Sequence, residues 1–212
     1  MPAAVAASKT KRRRSERGQQ RIQSLLAAAE QVFAETGLEG ATTNAIAARA
    51  QASPGTLYQF FRNKQQMAEA IAKRYAAQVS ELQQKVLSAE GHTSPEACID
   101  SVLDAFFLFL QTAPAFGPLM VSSQVSRQVT RKMRVLDESA IVLITRMMQR
   151  FAPQVREAQL AFHAEVCLAL FDGMIRLLQV ADPKRRALAA AECRQVFKRY
   201  LLPILNRGAT EA

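Results

Sequence analysis

An all-α fold is predicted for this chain: a small N-terminal three-helix unit carrying a helix-turn-helix, followed by a larger C-terminal helical domain. Three observations predict it. Apolar residues recur at three- and four-residue spacing along most of the chain, as one face of an α-helix requires. Pairs such as Ser53-Pro54, Ser94-Pro95 and Asp182-Pro183 punctuate that pattern, each joining a capping residue to a proline suited to the first helical turn. No segment alternates apolar and polar residues as a half-buried strand would.

The elements follow in order. Residues 1–17 read as a disordered basic arm, 18–66 as the helix-turn-helix domain and 67–212 as the second helical domain. The first helix carries Ile22, Leu25, Leu26, Ala29, Val32 and Phe33 on one face, reaches about Glu35 and stops at Gly37. Thr42 or Thr43 caps a second, whose narrow apolar face is Ile46, Ala47 and Ala50. Ser53-Pro54 starts a third, with Leu57 and Phe61 spaced to bury together. A long fourth helix begins near Lys64 and carries Met67, Ile71, Tyr75, Val79, Leu82 and Val86. It is the natural connector between the two domains. Glu90 to Thr93 breaks it, and Ser94-Pro95 starts a helix rich in phenylalanine. Pro114, Gly117 and Pro118 leave room for a short helix near Phe116–Val121. Long helices then cover about Arg127–Phe151 and from near Pro153 to Val180. The last starts at Asp182-Pro183 and ends near Leu205-Asn206, with Gly208 beyond and Pro203 kinking its final turn.

Charge narrows the function. The chain carries a net +10, of which residues 1–64 hold +6 from ten Lys/Arg and four Asp/Glu. The excess is sharpest at Lys9, Lys11, Arg12, Arg13, Arg14, Arg17 and Arg21. Such a run beside a helix-turn-helix reads as an arm lying on phosphates or reaching into the minor groove; a solvated tail has the same composition. Cys98, Cys167 and Cys193 form no CxxC pattern and read as buried small apolar residues. His92 and His163 have no partners at ligand spacing, so neither a metal site nor a cofactor is expected. There is no Gly-rich phosphate loop, and no nucleophile near a base. Glu165 and Asp172 lie near one face of one helix, but such pairs are usually solvated, and no enzyme is expected. No apolar run reaches the roughly 18 residues of a membrane span. A cytoplasmic protein with no membrane partner is the expectation.

The stretch from Thr42 to Lys64 carries the functional signal. With Leu57 and Phe61 inward, Pro54, Gly55, Thr56 and Gln59 face outward, with Phe60 as a further candidate. Gly55 permits close approach to DNA, and Thr56 and Gln59 suit base edges or phosphates. Tyr58 offers a hydroxyl and Lys64 a charge to flanking phosphates. An ordinary helical hairpin would share this general pattern. The particular string, Thr42-Thr43, Ile46-Ala47, Ala50, Ser53, Gly55 to Tyr58, Phe61 and Lys64, resembles the DNA-binding signature of the TetR family of bacterial one-component regulators. The upstream helix and its Gly37 stop resemble that family as well. The close resemblance covers roughly residues 20–70. It implies that Thr43, Asn44, Gly55, Thr56, Tyr58, Gln59, Phe60 and Lys64 occupy positions that touch DNA. Gln51 departs from the pattern, standing where the family usually has a turn glycine.

The C-terminal domain is less legible. Phe106, Phe107, Phe109 and Phe116, with Leu110 and Met120, cluster around the proline-broken segment, and Met147, Met148, Phe162, Phe171 and Met174 could complete an enclosure for a small hydrophobic or aromatic effector. An apolar stripe of plain core looks the same. The last two long helices are apolar on more than one face, so one face is free for a twin subunit. Ala169, Gly173, Leu177 and Ala190, with Phe197, are the candidates for that interface. The resemblance likewise implies a dimer through these two helices and a pocket within the domain. A symmetric dimer would address a palindromic double-stranded operator. The expected function is a homodimeric repressor released from DNA by its effector. The alternative is a constitutive DNA-binding adaptor whose C-terminal domain docks a protein.

Overall fold

The computed structural model of the chain describes residues 2–87, 94–122, 127–180 and 183–206. Among these there is no strand, and the helices are α1 (Pro2–Gly40), α2 (Thr43–Arg49), α3 (Pro54–Phe60), α4 (Lys64–Leu87), α5 (Pro95–Thr112), α6 (Phe116–Val121), α7 (Arg127–Phe151), α8 (Glu157–Val180) and α9 (Pro183–Leu205). The expected break at Glu90 to Thr93, the Asp182 cap and the Gly208 stop lie outside the described residues.

Sequence punctuation explains several of the helix ends. Thr42 Oγ1 accepts the Ala45 N–H at 3.1 Å, Ser53 Oγ accepts that of Thr56 at 3.1 Å and Ser94 Oγ that of Ala97 at 3.2 Å. Each cap satisfies a first-turn amide that no helical carbonyl can reach. Gly37, at φ 69°, interrupts α1 as expected, and a short final turn follows it. The helical backbone of α1 reaches back to Pro2, however, through the stretch expected to be a disordered arm. Residues 3–17 contain neither proline nor glycine and are rich in Ala, Lys and Arg, strong helix formers. The start of α8 also differs from expectation, at Glu157 instead of near Pro153. The intervening turn is held by Gln149, whose Nε2 donates to the carbonyls of Pro153 at 3.1 Å and Val155 at 3.3 Å.

The chain forms two compact units. One comprises Met1–Ala72 with Pro118–Ser126, the other Lys73–Gly117 with Arg127–Ala212. The division falls inside α4, six residues beyond the boundary read from the sequence, and residues 118–126 group with the N-terminal unit. One bond ties that segment to α1: Ser122 Oγ donates to Glu39 Oε1 at 2.7 Å.

In the N-terminal unit, α2 packs on α1 and α3 on α2. Its core is Leu25, Ala29, Val32, Phe33, Leu38, Ile46, Ala47, Leu57, Met67 and Ile71. In the other unit, α8 packs on α7 and α9, and α9 also packs on α5. That core includes Ile99, Leu103, Ile144, Met147, Met148, Leu160, Cys167, Phe197 and Leu201. Ion pairs brace the α5–α9 contact: Arg194 binds Asp104 and, at 2.8 Å, Asp100, while the two Lys198 pairs, with Glu96 and Asp100, are both at 2.9 Å.

Candidate nucleic-acid interface

The turn between α2 and α3 is a six-residue helix stop. The Gln51 N–H bonds the Ala48 carbonyl at 3.1 Å, and the Ala52 N–H bonds that of Ala47 at 2.9 Å. This pair of bonds is the Schellman motif, which places its C′ residue in the left-handed region. Gln51 is that residue, at φ 50°. The turn expected from a glycine pattern is therefore made without glycine.

From this turn α3 presents its outward residues. Gly55, Tyr58 and Gln59 are exposed, Tyr58 to 53%, while Thr56 and Phe60 are half-buried. A Cβ built on Gly55 would meet only Ser53 Oγ, at 3.8 Å, so the fold does not itself require glycine there. On α2, Asn44 is exposed and Thr43 half-buried. The Thr43 and Tyr58 hydroxyls lie 3.1 Å apart, joining the first turn of α2 to α3. All seven lie on the helix-turn-helix, and their polar groups are not sequestered in the core.

Lys64 is placed differently. Its Nζ donates to the backbone carbonyls of Glu39 at 2.8 Å and Ala41 at 2.9 Å. Asn63 Oδ1 accepts the Gln66 N–H at 2.9 Å and Gln66 Oε1 accepts the Arg62 N–H at 2.8 Å, which fixes the first turn of α4 around it. Two of its three ammonium protons thus serve the end of α1. The backbone of Arg12, Arg13 and Arg14 lies in α1; their side chains are outside the described ones.

Sequence reasoning missed two features of this unit. Arg49 makes a two-pronged pair with Glu35, both N···O distances 2.7 Å, tying α2 to α1. The Arg49 hydrogen bonds hold the Glu35 carboxyl below the usual carboxylate range. Glu39 is likewise lowered, first by the Ser122 hydroxyl, then by its own backbone N–H and the Lys64 charge. These pairs span 14 and 83 residues, a separation that no local pattern signals.

Among the described residues, two of the effector candidates share an apolar void. Met147 and Phe171 line an apolar void of about 30 Å³ with Ile99, Val102, Leu103 and Phe197 among its other walls. That holds about one water, against several hundred Å³ for a drug-sized ligand. Phe106 packs edge-on to Phe171 at 5.0 Å, and Phe116 packs against Phe109 at 5.0 Å and Tyr75 at 5.9 Å. Met174 is buried, Leu110 and Met120 are half-buried, and Phe107 sits under the Arg194 guanidinium.

The dimer candidates separate into two groups. Ala169, Gly173 and Leu177 are exposed on one stripe of α8, Leu177 to 46%, and Ala190 is half-buried. Phe162, expected in the enclosure, is 62% exposed and extends that stripe by two turns. Leu188 and Val196 are exposed on α9. Phe197 is a correction: it is buried to 3% in its own chain, its ring 4.7 Å from that of Phe171, and cannot offer a surface to a partner. One helical step separates exposed Val196 from buried Phe197, which apolar periodicity alone does not resolve.

Comparison with known proteins places these features in a family. The family model described as bacterial regulatory proteins, tetR family, matches residues 25–71, and that described as tetracyclin repressor-like, C-terminal domain, matches residues 94–201. No curated protein matches the chain. Among solved structures, the fold is similar to the TetR-family regulator PfmR of Thermus thermophilus, at 20% identity and TM-score 0.65, covering 84% of this chain and 94% of that one. A TetR-family regulator of Streptomyces coelicolor matches at 24% identity and TM-score 0.59, with 89% and 99% covered. One from Marinobacter aquaeolei matches at 20% identity and TM-score 0.67, with 88% and 92% covered.

Proposed function

This chain belongs to the tetR family of bacterial regulatory proteins, and on that premise we propose a homodimeric repressor that a small hydrophobic effector releases from a palindromic operator. As a family member it is a DNA-binding transcriptional regulator and not an enzyme. Among the described residues no helix is long and apolar enough to cross a membrane, and we place the protein in the cytoplasm, where its DNA is.

The observation that carries the DNA reading is α3 itself. A capped, proline-started helix exposes Gly55, Tyr58 and Gln59 within the segment that matches the family. In this reading Gln59 and Thr56 meet base edges in the major groove. Thr43, Asn44, Gly55, Tyr58 and Phe60 approach the flanking backbone, Lys64 adds the proton its carbonyl bonds leave over, and Arg12, Arg13 and Arg14 reach phosphates beyond. The exposed α8 stripe, with Leu188 and Val196 of α9, supports a twin subunit as its cover.

For the switch, α4 runs unbroken from Lys64 to Tyr75, whose ring stacks edge-on with Phe109 and Phe116. An effector that opened the apolar void and repacked these rings would shift α4 and misalign α3 with its groove. Such coupling requires different affinities for two states, of order 1–3 kcal/mol.

The test is selection of duplexes from a genomic fragment pool, followed by anisotropy titration at two salt concentrations. A palindrome bound far more tightly than random DNA supports the regulator, and its release by hydrophobic compounds supports the effector. Uniform binding that collapses with salt, with no thermal shift from any small ligand, favours the adaptor instead.

A further inference from the structure

The N-terminal unit contains a groove of about 560 Å³ between α1 and α3. One wall carries Arg17, Gln20 and Arg21, and the other Thr56, Gln59 and Phe60. The first wall precedes residue 25, where the match to the family model begins. Arg17 and Arg21 are exposed and one helical turn apart. Among the described residues neither guanidinium has a hydrogen-bond or ion-pair partner, and no carboxylate lines the groove. Two uncompensated cations therefore face the residues proposed to read bases.

We infer that this groove seats the sugar-phosphate backbone of the operator strand that α3 reads, with Arg17 and Arg21 each holding a phosphate. The inference rests on the DNA reading above and adds a positioning site to it. Four residues of α-helix advance about 6 Å, so the two guanidinia address neighbouring positions along one strand, not one point. A guanidinium fork matches a phosphate's oxygens in geometry as well as charge. The concentrated positive field of the groove favours an anion, and its volume and open polar wall admit a backbone strand. Phosphate contacts carry no sequence information but fix register and orientation. Arg17 and Arg21, carried on the same helix whose C-terminal part packs on α2, would thus set how deeply Gln59 sits against a base edge. A flexible basic tail would add affinity without that alignment.

The double variants Arg17→Ala/Arg21→Ala and Arg17→Lys/Arg21→Lys test it in the full chain. Each would be titrated with the selected operator and with a random duplex from 50 to 200 mM salt. Both residues are exposed, so the melting temperature should be unchanged and a folding defect is separable. The expected result for the alanine pair is a slope of log K against log salt shallower by roughly 1.8 per bound subunit, so that its deficit shrinks roughly twelvefold per subunit across that salt range. Base preference on reselection should stay the same, and the lysine pair should restore most of the slope. A wild-type slope for the alanine pair, or weaker binding with an unchanged slope, overturns the inference. If the wild type selects no preferred duplex, the repressor reading fails separately, and the slopes on random DNA still decide the role of the two arginines.

Discussion

Lys64 and Glu39 are joined through the backbone: the Lys64 ammonium donates to the Glu39 carbonyl at 2.8 Å and, beside it, to that of Ala41 at 2.9 Å. The side chain expected to meet phosphate closes the turn that follows α1. Lys64→Met should therefore lower stability by about 1–2 kcal/mol, the contribution of charge-assisted bonds at a partly exposed site. Denaturant unfolding in the absence of DNA measures it. A variant as stable as the wild type would leave Lys64 with a phosphate role alone.

Gln51 adopts φ 50° in the turn between α2 and α3, a conformation that costs a residue with a Cβ about 1–2 kcal/mol. Glycine relieves that cost but loses more entropy on folding. Gln51→Gly should raise stability by about 1 kcal/mol and leave operator preference unchanged. Thermal melting and reselection of duplexes check the two halves, and a destabilised variant would show that the Gln51 side chain has a compensating contact.

Tyr58 and Gln59 adjoin on α3 but should fail differently. Tyr58→Phe removes the hydroxyl that lies 3.1 Å from Thr43 and should weaken binding to every sequence alike. Gln59→Ala should cost about 1–3 kcal/mol on the preferred operator, less on random DNA, and relax the preference at one position per half-site. Equal losses on specific and random DNA for the Gln59 change would remove its reading role.

Asp137 predicts a pH dependence. Partial desolvation, then the Asp172 and Glu138 carboxylates, push its carboxyl up to about 6. The folded chain consequently holds this proton more tightly than the unfolded chain, whose aspartates titrate near 3.9. This group's contribution to stability falls as pH rises from about 4 through 6. Asp137→Asn should stabilise the protein at pH 7.5, with the gain fading as pH drops toward 4. Melting temperatures of both proteins across that range decide it, and a difference independent of pH would exclude titration as the cause.

Gly173 probes the dimer. A Cβ built there meets nothing within 4 Å in its own chain. Gly173→Glu or Leu177→Glu should leave the subunit folded while converting the dimer to monomer and abolishing tight operator binding. Sedimentation and circular dichroism together test this. A dimer surviving both substitutions would place the interface elsewhere.

The residue order by itself determined the helices and their punctuation. Ser53-Pro54 and Ser94-Pro95 start helices because a cap and a fixed proline φ act within one turn, and Gly37 interrupts α1 for an equally local reason. The outward face of α3 was legible too, because Leu57 and Phe61 leave only one face for solvent. Tertiary structure decided what depends on partners distant in sequence. It committed Lys64 to carbonyls 25 and 23 residues away, paired Arg49 with Glu35 and grouped residues 118–126 with the N-terminal unit. It buried Phe197 while leaving Phe162 outside, and it brought Arg17 and Arg21 to the same groove as Gln59. Helical periodicity reports that a face is apolar. Which neighbour covers that face depends on how whole helices cross, and only the folded chain sets those crossings.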